Sequence, residues 1–329
     1  MNLLVVTNNP ARASFRQRIG VYFDFLHSKS INCEVAKLPP GSLERRKLFK
    51  QAAEFDGVFL HKKGLNFLDA FWLRKYSKKI IYDFDDAIMY NPKTPDRHSL
   101  SHFIPFRRTV GLANAVIAGN SYLANHAKRF NPNIEILPTG LDTNAYKLQP
   151  PPENNGKIRL VWIGSKSTLR YLTEIGTALE EISSRFDNVV LRIICDDFPD
   201  LQNIPVEKRL WSEDTQVTDL ATSDIGLAPL PDNRFTKGKC GFKILQYAAV
   251  GLPIVASPVG VNAQYIQQDS NGFLAESTSD WVNKICQLIG EPKLRKQMGQ
   301  SAKEMAQKFD LKTLGPKLAK LIRQCIEST

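Results

Sequence analysis

The sequence predicts an α/β protein of two doubly wound, Rossmann-like domains facing a central cleft. Three observations predict it: short apolar runs alternate with helical periodicity, the alternation restarts after a proline-rich break, and the charge balance changes at that break. In the first half, residues 3–7 form an apolar run ending in Asn8, Asn9 and Pro10, and an amphipathic helical pattern follows over 14–27. Strand-like runs at 57–60, 79–82, 115–118 and 134–137 alternate with helical patterns at 66–76 and 122–130, the latter with Ser121 as its expected N-cap. Strands separated by helices imply βαβ units and a parallel sheet. Residues 148–157, with Pro150, Pro151 and Pro152 followed by a polar stretch, read as a linker, which puts the domains at 1–150 and 156–310. Beyond it come a strand at 158–163, a loop at 164–168, a helix at 169–186, and strands at 189–195, 225–229 and 253–257. In such open sheets ligands sit at the carboxyl ends of the strands.

A chain of 329 residues, 43% hydrophobic and 23% charged, is long enough for two cores and is not disordered. Its five Cys are odd in number and form no C-x-x-C pair, so neither a disulfide framework nor a structural zinc site is expected, and a reducing cytoplasm fits. The longest apolar stretch, 248–261, is broken by Gly251, Pro253, Pro258 and Gly260 and falls short of the roughly 20 residues that span a bilayer. The first seven residues lack a cationic region, and their apolar run is too short for the h-region of a signal peptide. No G-x-G-x-x-G, Walker, H-E-x-x-H or G-x-S-x-G pattern is present, which argues against nicotinamide or flavin cofactors, a P-loop, a zinc hydrolase and a serine hydrolase.

The formal charge is +11, and it belongs to the first half: residues 1–155 carry 22 Lys and Arg against 13 Asp and Glu, the remainder 22 against 20. Clusters such as Arg45, Arg46, Lys47 and Lys50 would attract a phosphorylated small molecule or an anionic membrane surface; solvated helix faces explain them equally well. No nucleic-acid-binding module accompanies the charge, so no nucleic-acid partner is expected. Phe67, Leu68, Phe71 and Trp72 fall on one helical face, followed by Arg74, Lys75, Lys78 and Lys79. Such a face packs on a sheet, the commoner arrangement, or lies on an anionic bilayer.

The most informative segment is 224–260. It reads as a buried strand, a Lys- and Gly-rich loop, a helix at 242–250, a Gly251 C-cap with Pro253 after it, and a second buried strand. Lys237, Lys239 and Lys243 around the start of that helix, with Gly241 and Phe242 supplying backbone N–H groups, make a favourable diphosphate site. An ordinary strand-to-helix connection with exposed lysines is the other reading.

The run Leu245-Gln246-Tyr247-Ala248-Ala249-Val250-Gly251-Leu252-Pro253-Ile254-Val255-Ala256-Ser257 resembles the donor-site signature of retaining glycosyltransferase family 4, glycosyl transferases group 1, which has the GT-B fold. Pro138-Thr139-Gly140-Leu141-Asp142 resembles the family's segment at the end of its first domain, and 161–164 its first strand in the second. By the same resemblance a last helix at about 311–325 crosses back onto the first domain. Two family Glu positions fall here on Gly238 and Gln246; Gln246 still accepts from ribose hydroxyls, whereas Gly238 offers no carboxylate. The family's Arg and Lys after the first strand of the second domain fall at Ser165 and Arg170, with Lys166 adjacent, and Lys239 or Lys243 would compensate. A family His-Asp pair corresponds to Asp85 and Asp86; with Asp83 they place three carboxylates in four residues, expected to repel one another and raise at least one pKa. A structural Asp cluster is the alternative. Asp83-Phe84-Asp85 also spells the Asp-x-Asp metal motif of the other large glycosyltransferase fold, but the metal-independent architecture that the resemblance implies leaves no metal or other cofactor expected.

The resemblance thus implies a retaining, metal-independent transferase that moves a sugar from a nucleotide-diphosphate donor to a hydroxyl acceptor. Asp85 and Asp86 are its expected catalytic groups, and Ser165, Lys166, Arg170, Lys239, Gly241, Phe242, Lys243 and Gln246 its donor-binding ones. The basic first half favours a lipid-linked acceptor at the cytoplasmic face of a membrane, in cell-surface polysaccharide assembly. A GT-B epimerase or hydrolase, and a degenerate binding homologue, stay open.

Overall fold

In each half the most apolar runs become the inner strands of a parallel sheet. The computed structural model describes residues 1–147 and 156–328, so the expected linker at 148–157 lies, up to 155, outside the described residues. The chain divides into two units: unit 1 is Met1–Leu141, Asn233–Cys240 and Leu311–Thr329, and unit 2 is Asp142–Asp232 and Gly241–Asp310.

Unit 1 has strands β1 (Asn2–Thr7), β2 (Asn32–Lys37), β3 (Gly57–His61), β4 (Ile80–Phe84), β5 (Ala115–Ala118) and β6 (Ile134–Ile136), all parallel in the order β2-β1-β3-β4-β5-β6. Every residue of β3 and β4 is buried, whereas the edge strand β2 reads Asn-Cys-Glu-Val-Ala-Lys with no fully buried position. That polarity is why no apolar run announced it. Its helices are α1 (Ala13–Arg18), α2 (Phe23–Ser28), α3 (Ser42–Gln51), α4 (Phe67–Tyr76), α5 (Leu100–Leu112) and α6 (Ser121–Ala127). The single helix expected over 14–27 is split into α1 and α2 by a 3₁₀ turn, Gly20–Tyr22, beginning at the poor helix former Gly20.

The N-cap of α6 is Asn120, whose side chain accepts from Leu123 N at 2.9 Å, and Ser121 is the first helical residue. The face Phe67, Leu68 and Phe71 does not pack on the sheet: α4 buries Asp69, Ala70 and Leu73, and leaves those three side chains exposed.

Unit 2 has β7 (Ile158–Ile163), β8 (Val189–Cys195), β9 (Val206–Leu210), β10 (Ile225–Ala228), β11 (Ile254–Ala256) and β12 (Gly272–Leu274), parallel in the order β12-β11-β10-β7-β8-β9. Helices α7 (Lys166–Thr173), α8 (Gly176–Arg185), α9 (Gln216–Ala221), α10 (Phe242–Val250), α11 (Asn262–Tyr265), α12 (Thr278–Gly290) and α13 (Pro292–Gln307) flank it. The helix expected over 169–186 is two helices, interrupted at Glu174 and Ile175, and the first starts three residues early, inside the expected loop. The last helix, α14 (Leu311–Glu327), packs in unit 1: Leu314, Leu318 and Ile322 join the cluster of Leu3, Phe15 and Ile81, and Gly315 lies against the Phe25 ring.

The chain winds from β7 outward to β8 and β9, then returns to lay β10 on the other side of β7. The last registered pair between the two strands is Gly226 with Val161. Past it, Ile163 N donates to the Tyr247 hydroxyl at 3.1 Å and that hydroxyl donates to Leu227 O at 3.1 Å. The Tyr247 ring reaches this position because Gly226 has no side chain; a Cβ there would stand 2.6 Å from the ring. At the other end of α10, Gly251 has φ +84°, the left-handed C-cap that favours glycine. Tyr247→Phe leaves two buried backbone groups unpaired and is expected to lower stability by about 1–3 kcal/mol, read as the shift in urea midpoint at unchanged m-value.

Candidate functional site

Unit 2 has its strand-order reversal at β7, the place where open α/β sheets bind ligands. Gly164 follows β7, and a Cβ on it would lie 2.7 Å from Lys243 Nζ and 2.4 Å from the Trp162 ring. Lys243, the second residue of α10, accordingly holds its ammonium over Trp162, 4.4 Å from the ring centroid. The N-cap of α10 is Gly241, φ +65°, where a Cβ would come within 2.9 Å of the Tyr265 and Val261 side chains. The ammonium of a residue in the first turn of α10 thus lies at the carboxyl end of β7, and the first N–H groups of that nine-residue helix have no intrahelical partner.

Other expected residues are distributed around this point. Ser165 precedes α7, and its N donates to Thr168 Oγ1 at 3.3 Å. Lys166 is exposed and pairs with Asp197 at 2.8 Å, while its N donates to Asp196 at 2.9 Å. Arg170 lies one turn on, its guanidinium 5.1 Å from the Tyr171 ring centroid. Gln246 is buried; its Nε2 donates to Tyr146 Oη at 3.1 Å and to Gln216 Oε1 at 3.3 Å, which also accepts from Trp211 Nε1. Its Oε1 is left as an acceptor. Sequence reasoning missed Tyr146, Gln216 and Trp211, since no local pattern links positions 30 to 100 residues from Gln246.

A separate cavity of about 370 Å³ opens at the carboxyl ends of β10, β11 and β12, between Pro229, Ser257, Ala275 and Trp281. Neither Lys243 nor Gln246 lines it, and the acidic residues Glu174, Asp232 and Glu276 do. Like charge makes it a poor home for a diphosphate.

Unit 1 carries the second group of expected residues. Asp85 and Asp86 follow β4, and Lys62 follows β3 in the left-handed conformation, φ +53°, with its N donating to Asp83 O at 2.7 Å. Lys62 Nζ lies 2.9 Å from Asp85 Oδ1 and pairs with Asp86 Oδ2 as well. Asp83 is taken by Arg18, whose Nε and Nη2 both donate to it while Nη1 donates to Leu137 O at 2.7 Å. The expectation of a raised pKa is overturned for Asp86. Burial pushes its carboxyl up, but Lys239 and Lys62 outweigh burial and hold it well below the usual range. Burial alone would lower the Lys62 pKa, and Asp85 with Asp86 raises it instead.

Lys239 and Lys243 belong to different units. The segment Asn233–Cys240 belongs to unit 1, where Lys239 Nζ donates to Asp86 Oδ1 at 3.0 Å, Asn120 Nδ2 donates to Gly238 O at 3.2 Å, and Cys240 Sγ donates to Asp85 O at 3.0 Å. Gly238 lies against Ala87, where a Cβ would come within 2.6 Å of the alanine's own. A glutamate has no space at that position.

Two parallel six-stranded sheets with helices on both faces make this the GT-B fold. The comparisons agree. The structure of Anabaena Alr3699/HepE in complex with UDP and glucose is 18% identical, at 98% of this chain and 100% of that one, with a TM-score of 0.76. Sucrose-phosphate synthase (tll1590) from Thermosynechococcus elongatus is 11% identical over 100% of both chains, TM-score 0.76. WaaG, a glycosyltransferase involved in lipopolysaccharide biosynthesis, is 15% identical over 97% and 99%, TM-score 0.73. Residues 152–291 match the family described as Glycosyl transferases group 1. No curated protein matches the sequence.

The ion cluster generates a testable expectation. Removing the Lys62 ammonium leaves two half-buried carboxylates facing one cation, and Lys62→Met is expected to cost about 2–3 kcal/mol. The depressed Asp86 pKa contributes stability above roughly pH 4 that is lost as pH falls through its folded value, while the raised Lys62 contributes fully below roughly pH 10. Urea midpoints followed from neutral to acid pH should therefore fall for the wild type, and fall less for Lys62→Met.

Proposed function

We propose that the chain is a glycosyltransferase that moves a sugar from a nucleoside diphosphate donor to a hydroxyl acceptor, with retention at the anomeric carbon and without a metal ion. The observation that carries this reading is the Lys243 ammonium, in the first turn of α10, held at Gly164 and Trp162 at the end of β7. As the glycosidic bond breaks, charge accumulates on the leaving diphosphate, and fixed donors aimed at it stabilise the transition state more than the ground state. Lys243 and the N–H groups of Gly241, Phe242 and Lys243 take the diphosphate, with Ser165 and the cations of Lys166 and Arg170 adding to them. Gln246 Oε1 accepts from a ribose hydroxyl. HepE, solved with UDP-glucose, supports a uridine diphosphate sugar as donor.

Asp85 and Asp86 in unit 1 are the proposed acceptor-side carboxylates, and Lys239 keeps Asp86 ionised. The metal-free reading is supported by their chemistry: in Asp83-Phe84-Asp85 the first carboxylate is held by a guanidinium and the second by an ammonium. The basic unit 1 favours a lipid-linked acceptor at the cytoplasmic face of a membrane, in cell-surface polysaccharide assembly as WaaG's role in lipopolysaccharide suggests. Among the described residues no helix is long and apolar enough to cross a membrane.

Thermal-shift measurements with uridine, guanosine and adenosine diphosphate sugars should give stabilisation by one of them, undiminished by excess chelator. Lys243→Met should weaken that binding roughly 10- to 100-fold. Strict dependence on manganese or magnesium refutes the metal-free part. Donor consumption without an acceptor marks a hydrolase or epimerase, and binding without turnover across an acceptor panel marks a degenerate homologue.

A further inference from the structure

We propose that the outer face of α3, α4 and α5 in unit 1 is a docking surface for an anionic phospholipid membrane. The proposal deepens the reading above by naming the surface on which a lipid-linked acceptor is met. Of ten exposed large hydrophobic side chains among the described residues, six belong to these three helices: Leu43 on α3, Phe67, Leu68 and Phe71 on α4, and Leu100 and Ile104 on α5. Their exposure runs from 43% to 70%, far above what packing on a sheet allows. The helices are neighbours, with α4 packed against both α3 and α5. Side chains cross between them: the Arg46 guanidinium of α3 stands 4.3 Å from the Trp72 ring centroid on α4, and that of Arg108 on α5 stands 6.0 Å from Phe67.

Charge selects the occupant. The three helices carry eight Lys and Arg against two acids, and one of these acids, Asp69, is buried and held by Arg45 at 2.8 Å. Aromatic and aliphatic side chains at the centre enter the headgroup boundary, and cations beside them snorkel to lipid phosphates. A neutral membrane offers no partner for this charge. A protein interface would ordinarily leave its centre depleted of it. An anionic bilayer satisfies both features at once.

The test is flotation of the full chain with phosphatidylcholine vesicles containing about 30 mol% phosphatidylglycerol, against phosphatidylcholine alone. The chain is expected to float with the anionic vesicles only, and to bind roughly tenfold more weakly when salt rises from about 0.1 to about 0.5 M. Two variants, Phe67→Ser/Leu68→Ser/Phe71→Ser and Lys47→Glu/Lys50→Glu/Arg107→Glu, change exposed positions only. Each should reduce flotation roughly tenfold or more without altering the melting temperature. Equal flotation with both vesicle types, no flotation, or variants that float like the wild type overturns the proposal. So does a concentration-dependent dimer that the serine variant abolishes, which would make the face a contact between two copies. A wild type that floats but gives no thermal shift with any nucleotide sugar overturns the transferase reading and leaves the docking surface standing.

Discussion

The Tyr247 hydroxyl fills the gap that opens between β7 and β10 beyond their last registered pair, accepting from one strand and donating to the other. The start of α10 is positioned from this bridge. It fixes α10 across the strands, so Lys243, one turn earlier, reaches over Trp162 to the backbone at Gly164. Two glycines make this possible, Gly226 for the tyrosine ring and Gly164 for the lysine ammonium. Two backbone groups that would otherwise be buried unpaired are satisfied by one side chain, which makes the arrangement rigid as well as specific.

Unit 1 solves a different problem. Three carboxylates at the end of β4 would be unstable together, and each is neutralised by a cation from another part of the chain: Arg18 for Asp83, Lys62 for Asp85 and Asp86, and Lys239 for Asp86 again. The left-handed backbone at Lys62 is part of that solution, because it turns the residue after β3 toward the next strand's end while its N donates to Asp83 O. Such strain in a non-glycine residue persists where the surrounding contacts over-determine it. The segment Asn233–Cys240 completes the arrangement, its Gly238 seated where no larger residue fits.

The face of α4 illustrates the limit of periodicity. Residues 66–76 have helical spacing and the helix forms with Asn66 as its cap. Spacing says which side chains share a face; it does not say which face meets the sheet. Ala70 and Leu73 pack inward, and the more hydrophobic Phe67, Leu68 and Phe71 point to solvent. The bulk of the aromatic residues suggested the reverse.

By itself the sequence determined the two-unit α/β plan, the inner strands, and the helix Phe242–Val250 with its Gly251 cap, because burial on both faces and left-handed capping leave local marks in composition. The edge strands β2 and β9 left no such mark, being polar and largely exposed. Only the tertiary structure decided which cation neutralises which carboxylate, that Lys239 and Lys243 serve different units, and that Gln246 rests on Tyr146 and Gln216. Charge pairing and buried hydrogen bonds depend on distance in space, and here the Lys239–Asp86 pair joins residues 153 positions apart. No local pattern encodes a separation of that length.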